Sequence, residues 1–401
     1  MKLLTITYKR CYHVNGRHYT TGGSPKEFNA LPERLEFYLL AEFLERDRVE
    51  AAWTLIDPRV RCFSLGKIVQ WATFPPPVAA MIRTARMARK IVAEHGIDIV
   101  LMKGPSEVSM APLLTLRKFK IPLVYHYSLD WVQDVIVSGR KSLLRRLCYP
   151  YFLFTRIYRR AVGAFVFPRA DALATVATPY AEKLNRYKPN KVYLLPSTFT
   201  TSENQIVKEP APKDISRNHF LFVGRIDRNK NLQLIVRALA ILKKTRPDRK
   251  VVVDIVGEGD EYADVVKLAG QFGVADQLNH VGYVRNDDLQ PYYTGAFALL
   301  LPSFSELLPK VVIESFTAGT PVIASKVGGI PDMLRDGHNG YFIDPHDPRS
   351  LADKMTVLMD DVQIYRALQN RAADTAHKFS RESTLDKWMT TFEKITGEYS
   401  G

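Results

Sequence analysis

The sequence predicts an α/β protein of two domains, each built on a doubly wound, mostly parallel sheet. Three observations predict it. From Phe220 to Ala324, short β-leaning apolar runs alternate with amphipathic stretches of helical length. The 401 residues leave room for two cores of ordinary size. Between Ser197 and Arg217 the chain turns polar and Pro-containing after a strand-like Lys191–Leu195, as an interdomain linker does. The expected division is a basic domain over 1–200, a linker over 201–216, a second domain over 217–380, and a last helical segment, 381–401, that packs back across the hinge. The two Rossmann-like sheets are expected to face one another across a cleft.

Taken in order, Leu3–Thr7 reads as a strand, Pro32–Arg46 as a helix, Pro77–His95 as a basic helix, and Ile97–Met102 and Leu123–His126 as strands. In the second half, Phe220–Val223 reads as a strand, Asn231–Lys244 as a helix, Val251–Val256 as a strand and Glu261–Phe272 as a helix. Strands follow near His280–Val284 and Ala296–Leu301. Pro309 suits the first turn of the next helix, and Gly319 its stop before a strand at Pro321–Ala324. From Ser350 onward the pattern is that of amphipathic helices.

With 46% hydrophobic and 24% charged residues, the composition is that of a globular protein. Cys11, Cys62 and Cys148 have neither the spacing of a disulfide framework nor that of a zinc site, which points to a reducing compartment. The start of the chain is charged too soon for a signal peptide, and no run of about twenty apolar residues is long enough to span a membrane. The expected location is therefore cytoplasmic.

Charge is unevenly placed. Residues 1–200 carry 31 Lys/Arg against 15 Asp/Glu, so the whole of the +14 net charge comes from the first half. No acid occurs from Val135 to Ala170, where Arg and Lys interleave with Tyr and Phe through 140–169. Together with the basic helix around Arg83, Arg86, Arg89 and Lys90, that pattern suits a peripheral contact with an anionic membrane face. It also fits a packed helical pair with a solvated basic side. Nucleic acid is a less apt partner, because no nucleic-acid module is recognisable.

Four groups of residues carry possible chemistry. Glu306 and Glu314 flank the predicted start of a helix after a strand, at the sheet edge where open α/β folds bind ligands. The same spacing also fits a loop charge and a solvated helical carboxylate. Arg225, after Gly224 at the end of another strand, and Lys230, where a helix opens, form a cation pair suited to a diphosphate. Gly22 and Gly23, in a loop, allow close backbone approach to a phosphate or sugar, or simply a turn. Gly328 and Gly329 repeat that device. His126 ends a strand, where it can face the cleft and a substrate hydroxyl or serve as a satisfied core histidine. Val256-Gly-Glu-Gly-Asp260 lacks the third glycine of a dinucleotide finger and reads as a tight turn into a helix.

Taken together, Val223-Gly-Arg225-Ile-Asp-Arg-Asn-Lys230, Ile255-Val-Gly-Glu-Gly259, Val281-Gly-Tyr-Val284, Ser305-Glu306 through Glu314 to Ser325, Gly328-Gly-Ile-Pro-Asp332 and Gly337-His-Asn-Gly340 resemble retaining glycosyltransferases of family 4. The resemblance covers nearly all of the second half and is weak in the first, where Gly22-Gly23, Ile121-Pro-Leu-Val-Tyr-His126 and Val192-Tyr-Leu-Leu-Pro196 carry it. It implies the GT-B fold and transfer of a hexose from a UDP- or GDP-sugar to a lipid-linked or polysaccharide acceptor, with retention of configuration and no metal or other cofactor.

By this resemblance Arg225 and Lys230 hold the diphosphate, Glu314 the ribose hydroxyls and Glu306 those of the sugar. Leu307 and Leu308 contribute backbone N–H groups, Tyr283 and Val284 flank the base, Gly22, Gly23 and Gly224 approach the phosphates, and His126 stands near sugar and acceptor. The resemblance thus makes Glu306, His126, Arg225 and Lys230 the catalytic set. One departure is Leu307, where the family usually has Gly; it implies a pocket reshaped for a particular donor, or reduced activity. The competing expectation is a catalytically silent GT-B subunit that binds partners at a membrane.

Overall fold

The computed structural model describes residues 1–21, 32–50, 53–66, 78–104, 107–127, 161, 163–196, 201–210 and 218–400. They form two compact units, one of residues 1–199 with 384–401 and one of residues 200–383.

The first unit begins with β1 (Lys2–Val14), β2 (Arg17–Thr21), β3 (Glu36–Glu45), β4 (Trp53–Leu55) and β5 (Arg61–Ser64). It continues with α1 (Val78–His95), β6 (Ile99–Gly104), α2 (Glu107–Thr115), β7 (Leu123–Tyr127), β8 (Ala172–Thr175), α3 (Thr178–Asn185) and β9 (Val192–Leu194). Its parallel path runs β5-β3-β1-β6-β7-β8-β9, and β2 and β4 extend the far half of β1 antiparallel. Asn15 and Gly16, both at positive φ (46° and 75°), close the β1–β2 hairpin, as an Asn-Gly pair does in a two-residue turn.

The helix expected over Pro32–Arg46 is not formed; most of that segment is β3. Phe37 to Ala41 are buried on both faces, and the strand pairs with β1 on one edge and β5 on the other. An uninterrupted apolar run suits a central parallel strand, which has no solvent face. The first strand is also longer than Leu3–Thr7, continuing past an irregularity between Ile6 and Arg10 to Val14.

The second unit holds β10 (His219–Val223), α4 (Leu232–Thr245), β11 (Val252–Val256), α5 (Tyr262–Phe272), β12 (Leu278–Gly282) and α6 (Gln290–Gly295). After these come β13 (Leu299–Leu301), α7 (Lys310–Thr317), β14 (Val322–Ser325), β15 (Gly340–Ile343), α8 (Pro348–Asp360) and α9 (Val362–Ala376). Its six strands are parallel in the order β12-β11-β10-β13-β14-β15. The order reverses between β10 and β13, so the helices that follow these two strands, α4 and α7, cover opposite faces of the sheet and leave a crevice at the carboxyl edge. The expected linker is partly built into this unit: Ile206 is buried, and the Val207 N–H donates to Thr317 O at 3.0 Å.

The last helix, α10 (Arg381–Ser400), returns to the first unit. Trp388, Phe392 and Ile395 pack with Leu3, Leu39, Leu101 and Val124 on one face of the sheet. The other face is covered from α1 by Ala88, Ile91 and Val92.

Candidate functional site

The crevice of the second unit is walled by three strand-end loops. After β10, Gly224 takes φ +153° and its N–H donates to Val256 O at 3.0 Å. A Cβ on Gly257 would lie 2.0 Å from Gly224 O, and one on Gly259 2.1 Å from Ile226 O. The Gly-Glu-Gly sequence is therefore a close-packing device beneath this loop.

Asp227 Oδ1 accepts from the Lys230 N–H at 3.2 Å and caps the short turn Arg228–Lys230, while its Oδ2 pairs with Arg225 Nε at 3.1 Å. The Arg225 side chain is 81% exposed. Asn231 then enters α4 at φ +55°.

The loop after β13 is stitched to the first. Asn229 Nδ2 donates to Ser305 O at 2.8 Å, and Phe304 N to Asn229 O at 2.8 Å. Asn231 Nδ2 reaches both Pro302 O (3.1 Å) and Pro345 O (2.9 Å). Across this seam Lys230 Nζ meets Glu306 Oε1 at 2.6 Å, the two side chains being 17% and 10% exposed. Shielding strengthens the attraction within such a pair, and the desolvation of both groups opposes it.

The loop after β14 clamps the same glutamate from its backbone side. Gly328 has φ +55°, and a Cβ there would lie 1.5 Å from Glu306 O, while Gly329 N–H donates to Leu307 O at 2.9 Å. The Leu307 and Leu308 N–H groups have no acceptor among the described residues. They precede α7, where Pro309 is the N-cap and Gly319, at φ +62°, ends the turn that follows. Glu314, one turn into α7, takes a different partner from Glu306: the Tyr293 hydroxyl donates to its Oε2 at 2.8 Å. Tyr283 is 65% exposed, and Val284 packs against the apolar cluster that includes Tyr293. A cavity of about 300 Å³ beside the first loop is lined by Asp227, Arg228, Asn231 and Phe304, among others, and not by Arg225, Lys230 or either glutamate.

Of the two readings of His126, the structure shows the satisfied core histidine. Alternation along β7 turns its side chain, with that of Val124, to the sheet face covered by α10, where it is fully buried. Its Nε2 donates to Leu195 O at 3.0 Å, its ring lies 5.8 Å from that of Trp388, and Nδ1 has no partner among the described residues. Burial, then the charge of Lys103, hold its pKa down at about 3. A neutral, enclosed imidazole of this kind packs as a core residue in this structure. Gly22, Gly23 and residues 140–160 lie outside the described residues. Sequence reasoning missed Tyr293, Asn229 and Asn231. Asn231 had a local signal, since asparagine tolerates positive φ at a helix start, but the partner of Tyr293 is set by packing alone.

Lys230 and Glu306 thus meet in the seam, while Arg225 and Glu314 take Asp227 and Tyr293 as partners. Residues 203–375 match the glycosyl transferases group 1 family. The group 1 match takes in every site residue named here from Gly224 to Glu314.

Two curated relatives are D-inositol 3-phosphate glycosyltransferases. That of Paenarthrobacter aurescens is 36% identical over 45% of each chain, and that of Pseudarthrobacter chlorophenolicus 29% identical over 60% of each. The chain thus spans about half the length of the curated relatives it matches. Solved structures resemble nearly all of it. Sucrose-phosphate synthase from Thermosynechococcus elongatus has a TM-score of 0.69 and 18% identity over 99% of both chains. Anabaena HepE in complex with UDP has a TM-score of 0.66 and 15% identity over 98% of this chain and 100% of its own. At such identity these likenesses show the fold alone, the two Rossmann-like domains of GT-B glycosyltransferases.

Proposed function

We propose that this protein transfers a hexosyl unit from a UDP- or GDP-sugar to a lipid-linked or polysaccharide acceptor, with retention at the anomeric carbon. The observation that carries the reading is the enclosed Lys230–Glu306 pair at the point where strand order reverses, bonded through Asn229 and Asn231 into both loops. Arg225 and Lys230 hold the diphosphate and stabilise its growing negative charge as the sugar leaves. Glu306 takes hydroxyls of the sugar, Glu314 those of the ribose, and the N–H groups of Leu307 and Leu308 the remaining sugar oxygens. Tyr283 and Val284 flank the base.

In this scheme the acceptor oxygen attacks the face from which the nucleotide departs. The C–O bond to phosphate breaks as the new glycosidic bond forms, and a phosphate oxygen of the donor takes the acceptor proton. The two cations supply the charge that a metal ion would otherwise bring. Leu307 shapes the sugar pocket, because its side chain stands where a glycine leaves room.

The basic first half supports peripheral binding to an anionic cytoplasmic membrane face. On α1, Val78 and Ile82 are exposed beside Arg83, Arg86, Arg89 and Lys90. Among the described residues no helix is long and apolar enough to cross a membrane.

A transfer assay over UDP- and GDP-sugars tests the site, with inositol phosphate and lipid-linked sugars as acceptors. Arg225→Ala, Lys230→Ala and Glu306→Ala are each expected to lower turnover by about two to three orders of magnitude. Transfer that survives all three substitutions removes the site assignment. A chain that binds neither UDP nor GDP in a thermal-shift titration is instead a silent interaction subunit. Salt-sensitive flotation with anionic vesicles tests the membrane contact.

A further inference from the structure

The structure assigns a role to Tyr293, a residue that no sequence motif marked. Its side chain is 1% exposed, and its hydroxyl donates to Glu314 Oε2 at 2.8 Å. Its own carbonyl accepts from Thr320 Oγ1 at 2.6 Å. Tyr293 is thus held at backbone and side chain by the segment that runs through Glu314 into β14. Val284 and Leu308, the described neighbours on the proposed base and sugar sides, pack against the cluster to which Tyr293 belongs.

The physics of such a contact is directional. A glutamate has three rotatable bonds, and leaving them free costs precision in any hydrogen bond it makes. A buried phenol fixed by packing removes that freedom at one carboxylate oxygen. Burial, reinforced by the neighbouring carboxylate, raises the phenol pKa well above its ordinary value, so the hydroxyl stays a donor throughout the working range.

We propose that Tyr293 is a positioning residue: it fixes the Glu314 carboxylate for the two vicinal hydroxyls of a ribose and so sets selection of ribonucleotides over deoxyribonucleotides. This rests on the reading of Glu314 as the ribose contact. A half-buried carboxylate held for a hydroxyl disfavours the analogue that lacks it, because the hydrogen bond to that hydroxyl is lost and not replaced. A carboxylate free to swing to solvent does not.

Calorimetric titration of the full chain with UDP, GDP and their 2′-deoxy forms tests the proposal. Wild type is expected to favour the ribo form by about tenfold or more, and Tyr293→Phe to erase most of that ratio. The loss should vanish when Tyr293→Phe is made in a Glu314→Ala background, since the phenol then has nothing to position. A ratio unchanged in Tyr293→Phe, with both affinities shifted equally, means the phenol is merely structural and overturns the proposal alone. So does a Tyr293→Phe effect that persists without Glu314. Should Tyr293→Phe fold poorly, Glu314→Gln, which keeps the side chain's shape but not its charge, is expected to lower the ratio too; an undiminished ratio there removes the reading of Glu314 as the ribose contact, and this inference with it. Wild type that binds neither UDP nor GDP takes down the proposed function and this inference together.

Discussion

Lys230 and Glu306 carry the proposed chemistry at the scale of single residues. A diphosphate entering the crevice competes with Glu306 for the Lys230 ammonium, since both are anionic acceptors for the same donor. Glu306→Gln is therefore expected to tighten binding of free UDP or GDP by about three- to tenfold, the scale of one charge-assisted hydrogen bond, while transfer falls. Calorimetry with the nucleotide alone separates the two effects. Gly328 works by having no side chain: Gly328→Ala puts a Cβ into the Glu306 carbonyl at a positive φ. Its expected cost is ~1–3 kcal/mol in denaturant unfolding, with lower turnover as Glu306 shifts. His126 gives a pH signature. Its folded pKa lies near 3, below the ordinary 6.5, so the unfolded chain takes the proton first. Stability from this group is complete above 6.5 and falls toward pH 3 at up to ~1.4 kcal/mol per pH unit. His126→Gln, which cannot titrate, should flatten the acid limb of unfolding midpoints measured between pH 7.5 and pH 4.5.

At the scale of elements, legibility followed periodicity and local turn chemistry. The strand–helix alternation of the second unit is legible where a helix keeps one apolar stripe; Leu232, Ile235, Val236, Leu239 and Leu242 make that of α4, whereas the short α6 buries only Tyr293 and has no stripe to read. β3 was misread because an apolar run without alternation has no period to read, and its neighbours β1 and β5 decided its form. The Asn15-Gly16 turn is legible from its two residues alone. Asn231 shows an element start fixed both ways: its φ of +55° favours Asn or Gly locally, whereas its bonds to Pro302 and Pro345 come from the fold. Asn231→Gly keeps the backbone and loses the bonds, and Asn231→Ala loses both. Alanine is accordingly expected to destabilise by ~1 kcal/mol more than glycine, as urea midpoints would show.

For the whole molecule, the first unit closes only when α10 returns to it from the far end of the chain. Trp388 is buried against that sheet, and its Nε1–H donates to Pro196 O at 2.9 Å. Trp388→Ala is expected to cost ~3–5 kcal/mol, as large core truncations do. The loss should fall on one unfolding transition and spare the one that a bound nucleotide raises; equal displacement of both would mean that the units unfold together. By itself the sequence determined the α/β class, the alternation of the second unit and the concentration of basic charge in the first half, and it singled out Arg225, Lys230, Glu306 and Glu314 as candidates. All of these are local in the chain: periodicity, composition, and short motifs at strand ends. Only the tertiary structure decided that Lys230 pairs with Glu306 and Glu314 with Tyr293, that His126 faces the core, and that 32–46 is mostly strand. Each of these depends on which segments pack side by side, and packing joins residues whose separation along the chain carries no signal of their contact.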